Sequence, residues 1–210
     1  MRDVVRHTEE VKVDVKTLDG QHMSWQHATT PVGSALRIAP SFVATAVDEN
    51  AGLETAVEAH YVAEHGRYIV TAVTNRATRP DTEVNNLALR QVPIQAIVQG
   101  AAVQCIALTL DDEADPTARW TTVSALSSAE GRIIPAWLAE QVVKRGNKAE
   151  RMEAIEILYG SAALAGLPPV KAVQYELGVP HRTASDWIKK ARAEGRLEGM
   201  SYIVGRQADG

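Results

Sequence analysis

The sequence predicts an α+β fold: an N-terminal antiparallel β-meander with packed helices, followed by a C-terminal three-helix domain. Three observations predict it. Between residues 42 and 74, runs of β-branched and apolar residues are separated by turn signals. From residue 94 the apolar period changes from that of a strand to that of a helix. After residue 148, three short helical patterns follow one another across joints that contain Gly and Pro.

The elements follow in order. Val11, Val13 and Val15 alternate with Lys12, Asp14 and Lys16, the period of a half-buried strand. Leu18-Asp19-Gly20 supplies a turn. Residues 21–40 hold His22, Trp25, His27 and two prolines, and read as loop with short strand pieces. Phe42-Val43-Ala44-Thr45-Ala46-Val47 is a strand, ended by Asp48-Glu49-Asn50-Ala51-Gly52. The segment 53–63 is next, and Glu64-His65-Gly66-Arg67 is a hairpin turn. Tyr68-Ile69-Val70-Thr71-Ala72-Val73-Thr74 is the return strand.

Asp81 or Thr82 can cap a helix over 83–90, with Glu83 in its favourable first turn. Pro93 breaks that helix. A second helix, over 94–110, would lie on the sheet through Ile94, Ile97, Val98, Ala101 and Ala102. The acidic run Asp111, Asp112, Glu113 and Asp115, with Pro116, ends it. Residues 116–147 read as a linker with a short helix at 135–144, stopped by Gly146-Asn147. This divides the chain into an α+β domain for dimerisation or sensing at 1–115, the linker, and a helical domain at 148–210.

Charge divides the same way. Of the 210 residues, those up to Val143 carry 11 Lys+Arg against 18 Asp+Glu. The rest carry 11 against 8, for a net charge of -4 overall. A polyanion is repelled by the first part and tolerated by the second. No apolar run is long enough for a membrane span, so no membrane partner is expected. The first seven residues lack the apolar stretch of a secretory leader, and there is a single cysteine. A cytoplasmic setting is therefore expected.

The last third carries the functional expectation. A first helix over 148–165 places Met152, Ile155, Leu158 and Tyr159 on one face. Gly166-Leu167-Pro168-Pro169 closes it, and Pro169 sits where a helix accepts proline, in its first turn. A second helix covers 170–177, Gly178-Val179-Pro180 is the joint, and a third helix covers 181–194. Two helices crossing steeply over so short a joint need a residue in the left-handed conformation, which Gly178 supplies. Val173 and Leu177 should meet Ala184, Trp187 and Ile188, with Ile155 and Leu158 behind them.

The run Ala172-Val173-Gln174-Tyr175-Glu176-Leu177-Gly178-Val179-Pro180-His181-Arg182-Thr183-Ala184-Ser185-Asp186-Trp187-Ile188-Lys189-Lys190-Ala191-Arg192 resembles the helix-turn-helix of small bacterial and phage DNA-binding proteins. Actinobacteria and their phages carry such proteins with a strand-rich part ahead of the motif. Gln174 and Pro180 depart from the usual small residue and the usual capping Ser or Thr. The resemblance implies double-stranded DNA as partner and a regulatory role. The third helix would enter the major groove, and a homodimer would read a two-fold site. Arg182 is the candidate for a bidentate contact to guanine, with Thr183, Ser185 and Asp186 facing the groove beside it. His181, Lys189, Lys190 and Arg192 fit phosphate.

The competing expectation is an interaction adaptor, such as a phage protein that binds a host factor, with the helical module as a docking surface. An enzyme is not expected, because no nucleophile–base pair, phosphate loop or metal constellation is visible. No cofactor and no metal are expected. His22 with His27, and His60 with His65 near Glu58 and Glu64, do not supply three converging ligands. Cys105 in an apolar stretch reads as a small core residue. Trp25, Trp120 and Trp137, outside the motif, should each anchor a core or an interface.

Overall fold

Alternation of buried and outward-facing side chains along its two central strands builds the first sheet. The computed structural model describes residues 12–109, 119–144 and 148–202. Among these, the fold is α+β with two antiparallel sheets and seven α-helices. Residues 1–11, the acidic run at 111–116 and the stop at 146–147 lie outside the described residues.

Sheet one consists of β1 (Val13–Lys16), β4 (Ser41–Asp48), β5 (Leu53–Val62) and β6 (Arg67–Ala77), in the order β1-β4-β5-β6. Phe42, Ala44 and Ala46 point inward and lie opposite Ala59, Val57 and Thr55, all buried. Gly66 turns the chain from β5 into β6 with φ 59°. Sheet two consists of β2 (Thr30–Val32), β3 (Leu36–Ile38), β7 (Ile106–Leu108) and β8 (Thr121–Thr122), in sequence order.

Helix α1 (Asn86–Arg90) starts later than the sequence predicts. Asn85, not Asp81 or Thr82, caps it, with Oδ1 accepting from the N–H groups of Leu87 and Ala88 at 3.1 Å. Helix α2 (Ile94–Cys105) packs its Ile97, Val98, Ala101 and Ala102 face over β1, β4 and β5. Ile94 stays partly exposed in the first turn.

The expected continuation of α2 to residue 110 is wrong. Ile106, Ala107 and Leu108 leave the helix and form β7 between β3 and β8. A strand buried on both faces shows no alternation, so its apolar run extends the helical one without a visible break. The stretch read as linker also differs. Its described part carries β8, α3 (Val123–Glu130) and α4 (Ala136–Lys144), and buries Val123, Ile134, Ala139 and Val142.

Helix α5 (Lys148–Leu164) is the centre of the molecule. Besides the predicted Met152, Ile155, Leu158 and Tyr159, it buries Ala154, Glu156, Ile157, Ser161, Ala162 and Ala163. A helix apolar nearly all round is a core helix. It packs on β3, β6 and β7 on one side and on α4, α6 (Pro169–Leu177) and α7 (His181–Ala193) on the other. The buried apolar residues form one cluster from Val15 to Met200, which crosses the boundaries drawn from the sequence.

Candidate nucleic-acid interface

The site is built from α6, its joint and α7. Pro169 opens α6 at a position where the missing N–H costs nothing. Gly178 ends it with φ 62°, the left-handed geometry that turns the chain towards α7. Val179, 9% exposed, fills the corner. Pro180 precedes α7 without a side-chain cap, and its carbonyl accepts from Ala184 N–H at 3.0 Å to close the first turn.

One face of α7 is core. Ala184, Ile188 and Ala191 are buried against α5 and α6, where Val173 and Leu177 are also buried. Trp187 is half-buried, and the guanidinium of Arg151 on α5 lies 4.6 Å from its ring centre. A cation over the indole face is held by the ring quadrupole. The opposite face is polar. His181, Arg182, Asp186, Lys189, Lys190 and Arg192 are exposed, and Thr183 and Ser185 are half-buried. The eight residues singled out from the sequence therefore share one helix.

Arg192 differs from its neighbours. Its Nη2 donates to the hydroxyl of buried Tyr159 at 2.9 Å, and its guanidinium lies 5.6 Å from that ring centre. The expected free phosphate cation is thus also a tie between α7 and α5. The sequence contains no local signal for this, because Tyr159 lies a helix and a joint away.

Two buried carboxylates that the sequence reading passed over fix the helices. Glu176 on α6, 5% exposed, accepts from the backbone N–H groups of Ile133 and Ile134 just ahead of α4. Arg132 closes on it, Nε lying 3.7 Å from Oε2 and Nη2 donating to the Glu176 carbonyl. Glu156 on α5, 1% exposed, accepts from the backbone N–H and the hydroxyl of Ser34 through one oxygen. Its other oxygen faces Nη1 of Arg196, just beyond α7, at 3.3 Å. Tyr61 donates to the Gly199 carbonyl at 2.8 Å, which ties the same segment to β5.

The remaining candidates stay apart. His27 turns back on Ser24, His22 faces Asp14 at 3.4 Å, and His60 pairs with Glu58 at 2.7 Å. That pairing, chiefly through the hydrogen bond, holds the Glu58 carboxyl below its usual range. Among the described residues, no group of three or more His, Cys, Asp or Glu is placed to hold a metal ion. No helix among them is long and apolar enough to cross a membrane. Cys105 is 1% exposed, and burial pushes its thiol far up. Trp120 lies under the Arg37 guanidinium at 4.2 Å, whereas Trp25 and Trp137 are 46% and 64% exposed.

A cleft of about 300 Å³ runs between α4 and α6, lined by Ala136, Ala139, Val143 and Leu177, with Arg132 and Tyr175 at its rim. Comparison with protein-family models, with curated proteins and with solved structures finds no match to this chain.

Proposed function

We propose that this chain binds double-stranded DNA sequence-specifically, as a homodimeric transcriptional regulator of bacterial or phage type, with α7 in the major groove. On this reading α5, α6 and α7 are a C-terminal helix-turn-helix domain behind an N-terminal meander of β4, β5 and β6. The observation that carries it is the two-sidedness of α7. Its buried face is seated on α5 and α6, while His181, Arg182, Asp186, Lys189 and Lys190 lie exposed on the other, with Arg192 exposed beside them and tied to Tyr159.

Arg182, in the first turn, matches the paired acceptors of guanine, and Asp186, one turn on, can accept from cytosine. Lys189, Lys190 and Arg192 lie further along, where phosphates flank a groove-bound helix. Lys171, exposed in the first turn of α6, adds a cation on the helix that crosses the DNA backbone in such modules. The function needs no cofactor, catalytic group or membrane, and fits a cytoplasmic protein.

The test is selection from a random duplex library over a salt series, with Arg182→Ala alongside. A consensus should emerge, affinity should fall with salt, and Arg182→Ala should lose preference at one base pair, about 1–3 kcal/mol. Recovery of no enriched duplex would end this reading.

The second reading, a protein-interaction adaptor, draws on the α4–α6 cleft. Tyr175, 74% exposed, stands at its rim, and Trp137, 64% exposed, shares a ridge of α4 with Glu140 and Lys144. Exposed aromatics of this size are common anchors of protein interfaces. Arg182→Ala with Lys189→Ala separates the two readings, since it weakens DNA binding and leaves docking at the cleft intact.

A further inference from the structure

Among the described residues, sheet one ends on β6, which is 11 residues long and has a strand neighbour on one side only, with the Ser201 N–H bonding the Gly66 carbonyl just ahead of it. Val70, Thr71, Ala72, Val73 and Thr74 are all exposed, the two valines at 36% and 38%. A free edge is a row of unpaired backbone donors and acceptors, and proteins usually guard it with Lys, Pro or a bulge. This strand has no Lys and no Pro, and no charged residue between Arg67 and Arg76. Its one guard is a bulge at Thr71, where the register with β5 shifts. Beyond that bulge, residues 72–77 pair regularly with β5, and no other described strand pairs with their outer edge.

We propose that a second copy of this chain pairs antiparallel along this edge, centred on Thr74, so that the two four-stranded sheets become one. The centre follows from side-chain faces and charge. Opposed residues must point to the same face, so the two-fold has to fall on a residue rather than between residues. Centred on Val73, Arg76 would face Val70 across the bulge, where the faces no longer match. Centred on Asn75, the two Arg76 side chains would lie on adjacent diagonals and repel. Centred on Thr74, Val73 faces Asn75, and Arg76 of each copy faces the small Ala72 of the other.

That register also places opposite charges together. Glu58 is the β5 neighbour of Ala72 and lies on the same face. Arg76 of the second copy would be two strand spacings from it, roughly 10 Å between backbones. An Arg and a Glu side chain close that gap over Ala72, and symmetry makes the contact twice. The inference does not depend on α7 contacting DNA.

The experiment uses the full chain in three forms: wild type, Thr74→Lys and Thr74→Cys, with Val70→Cys as control. Sedimentation should give a dimer for wild type, and half that mass for Thr74→Lys with unchanged circular dichroism. Under mild oxidation Thr74→Cys should form a covalent dimer, since position 74 meets itself, while the buried Cys105 stays silent. Val70→Cys should not crosslink, because its own copy lies roughly 26 Å away along the strands. A wild-type monomer at the highest soluble concentration overturns the proposal. So does a dimer that survives Thr74→Lys, or one that Trp137→Ala dissociates instead, which would move the interface to the α4–α6 cleft.

Discussion

The hydroxyl of Ser34 donates to the buried carboxylate of Glu156 at 2.8 Å, across 122 residues of sequence. The same carboxylate faces Arg196 at 3.3 Å. One side chain thus ties the β2–β3 turn, the central helix and the segment after α7. Glu156→Ala removes the acceptor for two Ser34 donors and leaves a void in the core. It should cost about 3–5 kcal/mol in urea unfolding, the range for breaking a buried ion pair. Arg196→Met should cost less, because Arg196 is 36% exposed and water can replace part of its role. An Arg196 variant less stable than the Glu156 variant would contradict this ordering.

Two glycines with the same backbone geometry should respond differently to alanine. Gly178 has φ 62°, and a Cβ built there meets nothing within 4 Å. Gly178→Ala should therefore cost only the left-handed backbone term, about 1–2 kcal/mol. Gly33 has φ 67°, but its Cβ would run into the Glu156 carboxylate and the Met200 methyl. Gly33→Ala adds overpacking to the same backbone term, which raises the total by about 1–3 kcal/mol. Equal midpoints for the two variants would mean that the Glu156 carboxylate sits further from Gly33 and Ser34 than the 2.8 Å hydroxyl contact implies.

How much of this could be read in the sequence depended on how local the cause was. The strand around Phe42 was legible because one face is buried and the burial alternates, and the one after Tyr68 because it is rich in β-branched residues behind a glycine turn. The joint at Gly178 was legible because a short helix, a glycine and a new helix follow in order. Strand β7 was not, because Ile106-Ala107-Leu108 is buried on both faces and its partner Leu36–Ile38 is far back in the chain. Burial on both sides of α5 was half-legible: Ala154, Ile157, Ala162 and Ala163 already stood off the predicted face. The polar stripe of α7 needed only helical spacing. The second role of Arg192 needed Tyr159, and that of Glu156 needed Ser34, and no pattern within one element points to either.

Cys105 should be chemically silent in the folded protein. Its thiol is 1% exposed, and burial pushes its pKa up, so almost no thiolate exists near neutrality. A colourless-to-yellow disulfide reagent should release no signal from native protein over minutes and one equivalent after urea is added. Immediate stoichiometric reaction of the native chain would show that α2 opens locally at its last turn.

Glu153 gives the protein a predictable pH dependence. Glu153 is an exposed residue of α5 whose carboxyl is partly desolvated; that raises its pKa, repulsion from Glu156 adds to it, and Arg196 opposes it to a smaller extent. A carboxyl whose folded pKa is raised binds its proton more readily when folded. Its contribution to stability is fully present below the unfolded value near 4.5 and is lost as pH rises through the folded value. Glu153→Gln removes that loss. The variant should melt slightly higher than wild type at pH 7, the gain being small because solvent screens an exposed carboxyl, and the advantage should vanish by pH 4. An advantage that persists unchanged at pH 4 would assign the gain to packing instead.

Lys190 and Arg192 should separate binding from stability. Both are exposed on α7, but only Arg192 also bonds the Tyr159 hydroxyl, with its guanidinium 5.6 Å from that ring centre. Lys190→Ala should leave the melting temperature unchanged. If α7 lies on DNA as proposed, it should weaken binding about equally for all sequences and reduce the salt slope by about 1. Arg192→Ala should show the same change in salt slope and, in addition, cost about 1 kcal/mol of stability from the lost hydrogen bond and ring contact. Arg192→Lys should restore charge at the phosphate, but a shorter ammonium does not reproduce the guanidinium's bond to the Tyr159 hydroxyl, so the stability loss should remain in part. Measuring melting and salt-dependent affinity on the same three variants resolves the two roles. If Arg192→Ala changes stability and not the salt slope, Arg192 serves the fold alone, and the phosphate contacts fall to Lys189 and Lys190.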